Sequence, residues 1–244
     1  MPGALDSAPI SVVRRLAAGA WHVPGGFVFL AKRPKLWPLV LLPTLLAAGL
    51  VSGGLLLGLY AAPSVEAALT PAQAPAWFVM ILAISAWLAT LTAGLALGLA
   101  SALLFAAPVL DRLSRETERL TKGVADDASK GLTWEVKAAL RAALYFLAAA
   151  PGVFLLGLIP LVGPPLATLW ASHALSFQLT DPALARAGLD FAGRRAWHRA
   201  FWAESVGFGL TALLVVLVPC ANFVLVPALV VGATRLVLEL RETA

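Results

Sequence analysis

The sequence predicts an all-α polytopic integral membrane protein: two long spanning helices, then two proline-broken helical hairpins. Three observations carry this reading. Residues 77–110 form a run of 34 without a charged side chain, relieved only by Ser85, Thr90, Thr92 and Ser101. A soluble core helix rarely exceeds about 20 residues and shows a polar face at each turn, whereas a membrane span needs roughly 20 apolar residues. Composition agrees: 60% of the 244 residues are hydrophobic and 13% charged, with mean hydropathy +0.88, where a soluble domain is about a quarter charged. The third observation is where the positive charges lie. All 18 Lys and Arg fall outside four apolar blocks, residues 39–62, 77–110, 142–179 and 205–234, and in segments that one orientation puts on a single side.

In chain order, residues 1–38 read as an amphipathic interfacial N-terminal segment, with Trp21, Phe27 and Phe29 beside Arg14 and Arg15 in a helix over 11–30. Residues 39–235 read as a single membrane domain. Its first block, 39–62, carries only Thr44 and Ser52 as hydroxyls and suits one crossing. The loop 63–76 contains no Lys or Arg. Block 77–110 is longer than a bilayer requires, so it tilts or projects as a cytoplasmic helix. The opposite-sign pairs Asp111/Arg115 and Arg112/Glu116, each at i,i+4, continue that helix, and Gly123 with Asp126 and Asp127 ends it.

The third and fourth blocks are interrupted, the third by Pro151, Pro160 and Gly163-Pro164-Pro165, the fourth by Pro219 and Pro227. Each is either two tilted spans with a tight outer turn or a hairpin that dips and returns. Pieces of roughly 14 to 18 residues favour the hairpin, since 14 residues of helix reach only about 21 Å. Broken backbone at membrane depth is tolerated only where protein or water meets it, and paired breaks mark a permeation or binding site. Residues 236–244 form a cytoplasmic tail.

The lead holds five Lys and Arg, residues 111–141 seven, 180–204 four and residues 235–241 two. The positive-inside rule then places both termini and both large loops in the cytoplasm. This pattern assigns the net charge of +5 to lipid and topology rather than to nucleic acid. Cys220 has no partner for a disulfide, and His22, His173 and His198 lack ligand spacing, so neither a metal nor another cofactor is expected. No phosphate-cradling loop and no acid–base cluster points to an enzyme. His173, the ionisable residue inside the third block, is a candidate for the path. Its plainer role is a neutral ring bonded to a carbonyl freed by the prolines. Asn222 divides the same way, and Glu204 suits a helix N-terminus.

Several ordered patterns resemble one family. Gly26 and Phe27, then Arg33-Pro34-Lys35-Leu36-Trp37 and Leu42-Pro43, look like its approach to the first span. Ala107-Pro108 with Asp111 and Glu116 resembles its exit from the second. Ile159-Pro160-Leu161-Val162-Gly163, Asp181-Pro182, Gly207-Phe208-Gly209, Val218-Pro219, Asn222, Pro227 and Gly232-Ala233-Thr234 follow in order. The family is that of the CysZ-type sulfate permeases and etoposide-induced protein 2.4. The resemblance implies two spanning helices with two partly penetrating pairs, homo-oligomerisation, and sulfate passage across the bacterial inner membrane.

Sulfate permeases of this family typically place a glycine, an apolar residue and one or two arginines before the first span. Here Lys35-Leu36-Trp37-Pro38 stands at the matching positions, so Lys32, Arg33 and Lys35 are the candidate anion-binding residues, in front of a helix N-terminus. Pro160, Gly163, His173, Pro219 and Asn222 are the candidate path-lining residues. Asp111, Arg112 and Arg115 are the candidate gate or oligomer contact. The alternative is a non-transporting protein that shapes the bilayer or scaffolds partners, because Lys35-Leu36-Trp37-Pro38 is closer to the family's eukaryotic branch.

Overall fold

The computed structural model describes residues 11–71, 73, 75–125, 131–157, 159–218 and 222–243, leaving aside the side chains of residues 103–107, 132, 135, 136, 139, 143 and 222–224. Every regular element among these residues is helical. In order they are α1 (Val12–Ala31), a 3₁₀ turn (Pro34–Leu36), α2 (Trp37–Leu69), α3 (Ala76–Lys122), α4 (Leu132–Gly157), α5 (Gly163–Arg186), α6 (Phe191–Ala200), α7 (Trp202–Val216) and α8 (Asn222–Glu242). This is the all-α membrane class that the apolar runs predict. Among the described residues three stretches are long and apolar enough to cross a bilayer: Pro34–Leu69, Ala76–Ala102 and Leu140–Gly157. The pair α6 and α7, bent by 94°, makes a fourth if it counts as one span. The third stretch adds a candidate span to the two expected.

The chain packs as two units whose bounds differ from those drawn on the apolar blocks. One unit is Pro38–Leu110, a pair formed by α2 and the apolar part of α3. Leu45, Leu56 and Leu88 are each about two-thirds exposed on it, as lipid-facing side chains must be. Its seam is made by glycine. A Cβ on Gly54 would collide with the carbonyl oxygen of Gly94, and one on Gly94 with that of Gly54. A Cβ on Gly58 would lie 2.7 Å from the Thr90 oxygen, and one on Gly98 2.6 Å from the Leu50 oxygen. Small residues four apart on both helices let backbones touch where lipid gives no hydrophobic drive. Helix α2 also runs through Pro63 to Leu69, so the expected loop 63–76 shortens to 70–75. A proline removes one intrahelical bond, and continued helix satisfies the rest. Glu66 then faces Trp87, whose indole N–H donates to its carboxylate at 2.9 Å.

The other unit comprises Met1–Trp37 and Asp111–Ala244. Here α1 lies against α7 and α8, and α5 against α4, α7 and α8. The α1 face made by Gly19, Val23, Gly26 and Phe29 is buried. Trp21, on another face of α1, is 76% exposed. The α1–α7 crossing is again glycine on backbone, Gly19 against Glu204 and Gly207 against Leu16. Phe208, Leu184, Leu229, Leu236 and Val237 fill the core.

The breaks fall between α4 and α5, at Pro160, and between α7 and α8, where Pro219 and Cys220 lie outside the described residues. Pro151 and Pro227, read as interruptions, sit inside α4 and α8. The four helices have 26, 24, 15 and 21 residues, three of them longer than the pieces expected. They extend because the polar flanks at 132–141, 180–186 and 235–242 continue the helical ladder.

Candidate functional site

Helix α1 ends on Lys32, whose backbone N–H bonds to the carbonyls of Leu30 and Val28. Arg33 follows at the start of the 3₁₀ turn and lays its guanidinium 3.5 Å from the centre of the Phe29 ring. From α8, Arg235 approaches the same ring at 5.2 Å and donates through Nη1 to the Gly25 carbonyl at 3.2 Å. Guanidinium groups over an aromatic face are held without being neutralised. These residues, with Trp21, Pro24 and Lys32, line an open groove of about 700 Å³ that has no carboxylate among the described residues. None of the three cations is paired with a carboxylate among the described residues.

The structure thus brings Lys32 and Arg33 together. Lys35 is exposed in the 3₁₀ turn and does not line the groove. Lys32 and Arg33 also sit directly after the C-terminus of α1, where cations suit the helix dipole, before the turn that leads into α2. Arg235 is the residue that sequence reading missed as a site member. It directly follows Gly232-Ala233-Thr234, and the fourth block was closed at Thr234.

Of the proposed gate residues, Asp111 is drawn into a polar junction. Asp111 accepts from Arg186 Nη1 at 2.6 Å, Glu118 from Arg186 Nε at 3.1 Å, and the Ser114 hydroxyl from Arg186 Nη2 at 2.6 Å. Ser114 also meets the Thr234 hydroxyl at 2.6 Å, so α3, α5 and α8 share one buried polar junction. Arg112 is exposed and Arg115 half-buried. Glu204 sits in the first turn of α7, as expected, and also binds Arg15 through both oxygens at 2.7 and 2.8 Å. That hydrogen bond is the main cause raising Arg15 above its ordinary pKa.

Among the candidate path residues, Pro160 lies in the α4–α5 break and Gly163 opens α5. Leu161 between them has φ +70° and closes a tight turn in which the Val162 N–H donates to the Pro160 carbonyl at 2.9 Å. His173 lies elsewhere on α5, among rings: its centroid is 6.1 Å from Phe146, 6.0 Å from Trp170 and 5.6 Å from His198. Aromatic packing, rather than a carbonyl freed by proline, surrounds it. Asn222 opens α8, its side chain outside the description, and Pro219 lies outside the described residues. Among the described residues no group of three His, Cys, Asp or Glu is placed to hold a metal ion.

A family profile described as "Sulfate transporter CysZ/Etoposide-induced protein 2.4" matches residues 23–227. The chain belongs to this family. Proteins named sulfate transporter CysZ from Pseudomonas fluorescens are similar to it. That of strain Pf-5 is 32% identical over 142 residues, covering 54% of this chain and 57% of the relative. That of strain SBW25 is 37% identical over 93 residues, covering 37% of this chain and 36% of the relative. The chain thus spans between about a third and just over half the length of these relatives. The profile includes Lys32, Arg33 and the whole α4–α5 hairpin, and stops before Arg235.

Proposed function

We propose that this protein is a permease for a small oxyanion, sulfate first, in the bacterial inner membrane, and that the groove at Lys32, Arg33 and Arg235 is where the anion binds. The observation that carries the reading is three cations converging on one open groove, with no carboxylate among its described lining residues, in a chain of the CysZ family. A tetrahedral dianion needs several charge-assisted donors, and guanidinium forks supply them in pairs. Because Phe29 restrains Arg33 and Arg235, little side-chain freedom is lost when the anion arrives. The breaks at Pro160–Gly163 and Pro219–Asn222 would offer backbone groups along the path. Passage in this reading is passive or ion-coupled and uses no cofactor. Homo-oligomerisation, with Arg112 and Arg115 as candidate contacts, completes the proposal.

Radiolabelled sulfate uptake by the purified chain in liposomes tests it. Uptake should exceed that of empty liposomes. Arg33→Gln and Arg235→Gln should each lower it about tenfold, as expected for a lost hydrogen bond to a charged group. Uptake no faster than in empty liposomes, with correctly folded protein, would overturn the transport reading and favour the scaffold alternative.

A further inference from the structure

The groove at Lys32, Arg33 and Arg235 is larger than a bare oxyanion needs, and only part of its wall is charged. Its volume of about 700 Å³ is room for roughly twenty waters at about 30 Å³ each. Along α1 its lining runs through Trp21, Pro24, Val28 and Lys32, steps of three and four that keep one side of the helix toward it. From Trp21 to Lys32 that stripe is about 16 Å long, much longer than a tetrahedral oxyanion. Gly19, Val23 and Gly26 are buried on the other side of the helix.

The apolar part of the wall lies open. Trp21, Val28 and, from α3, Leu120 line the groove and are each about half exposed or more. Large apolar side chains left open beside a cluster of cations mark a surface with an amphipathic partner. A sulfate ion would satisfy the cations and leave this wall in water. An anionic phospholipid meets both parts: its phosphate diester carries the charge, and its glycerol and acyl segments are apolar enough to cover Val28 and Leu120. An α1 lying in the interface, as its amphipathic sequence predicts, holds the groove at the level of the headgroups. Trp21 suits that level too, with an apolar ring and one N–H donor.

We propose that the groove takes an anionic phospholipid of the surrounding leaflet, its phosphate on Lys32, Arg33 and Arg235 and the start of an acyl chain along Val28 and Leu120, so that lipid and free oxyanion compete for the same cations. The proposal rests on the groove being an anion site and not on passage through the chain. Native mass spectrometry of the purified full chain, with added phosphatidylglycerol and separately phosphatidylcholine of the same chains, tests it. One phosphatidylglycerol should be held in preference to phosphatidylcholine. Arg33→Gln/Arg235→Gln should weaken that adduct about tenfold or more, as for lost hydrogen bonds to a charged group. If this variant fails to elute as folded protein on gel filtration, Lys32→Gln, at an exposed position, carries the comparison. Val28→Ser/Leu120→Ser should weaken the adduct about tenfold through lost apolar burial. In equilibrium dialysis, phosphatidylglycerol should displace radiolabelled sulfate, whereas glycerol 1-phosphate, which keeps the charge and lacks the chains, should do so only at about tenfold higher concentration. Phosphatidylglycerol held no better than phosphatidylcholine, or an adduct indifferent to Val28 and Leu120, would overturn the proposal. Sulfate binding that the lipid does not displace would overturn it too, and would leave the oxyanion reading standing. Selective lipid binding without sulfate binding or uptake would count against the transport reading alone.

Discussion

Arg186 shows how much a single residue can hold in this protein. Its side chain is 3% exposed and that of Glu118 2%, so both charges have left water, and each is tolerated because the other is present. Removing one partner leaves an uncompensated buried charge, at a typical cost of about 3–5 kcal/mol. Arg186→Leu should therefore lower the thermal midpoint of the detergent-solubilised chain strongly, while Arg186→Leu/Glu118→Leu should recover a large part of the loss. Equal midpoints for the single and double variants would show that Arg186 acts through packing rather than charge. Leu161 presents the opposite case. With φ +70° and 91% of its surface exposed, it occupies a conformation that costs an L-residue about 1–2 kcal/mol. Leu161→Gly should raise stability by about 1 kcal/mol, and Leu161→Val, stiffer at Cβ, should lower it. A midpoint unmoved by Leu161→Gly would mean that the turn relaxes elsewhere.

At the scale of elements, the glycine seams set which helices meet. Gly94 on α3 faces the backbone of α2, whereas Gly53 on α2 has nothing within 4 Å of where a side chain would begin. Gly94→Leu should destabilise the α2–α3 pair by about 3 kcal/mol, the upper range for overpacking. Gly53→Leu, equally apolar and on the same pair, should be near neutral in the same unfolding assay. The elements themselves were legible because lipid demands long uncharged runs: both long apolar helices and the Pro160 break follow from hydropathy and proline alone. The seams were legible in principle, since Gly54/Gly58 and Gly94/Gly98 stand four apart, but spacing does not name the partner helix. Likewise, a charge count puts Arg235 in a tail. Only the fold carries it 210 positions back to the Gly25 carbonyl. Pro151 and Pro227 misled because a proline costs a helix one bond, which neighbouring turns absorb.

At the scale of the whole molecule, charge is expected to decide orientation. The connection between α2 and α3 carries no Lys or Arg, while the segments 1–38, 111–141, 180–204 and 235–241 carry all 18. Moving a block of seven positive charges across a bilayer is far costlier than moving an uncharged turn, so one insertion should dominate. We expect both termini and the α3–α4 connection in the cytoplasm. In a Cys220→Ser background, Gln73→Cys should react with an impermeant thiol reagent added to intact cells. Ala125→Cys and Ala192→Cys should react only after permeabilisation. Reversing the charges tests the cause as well as the outcome: Lys or Arg at Gln73 and two neighbouring positions, combined with Gln at Arg112, Arg115 and Arg119, should produce mixed labelling. Equal labelling of Gln73→Cys and Ala125→Cys in the unmodified charge background would instead mean dual insertion. The distribution of positive charge would then not be what orients this chain.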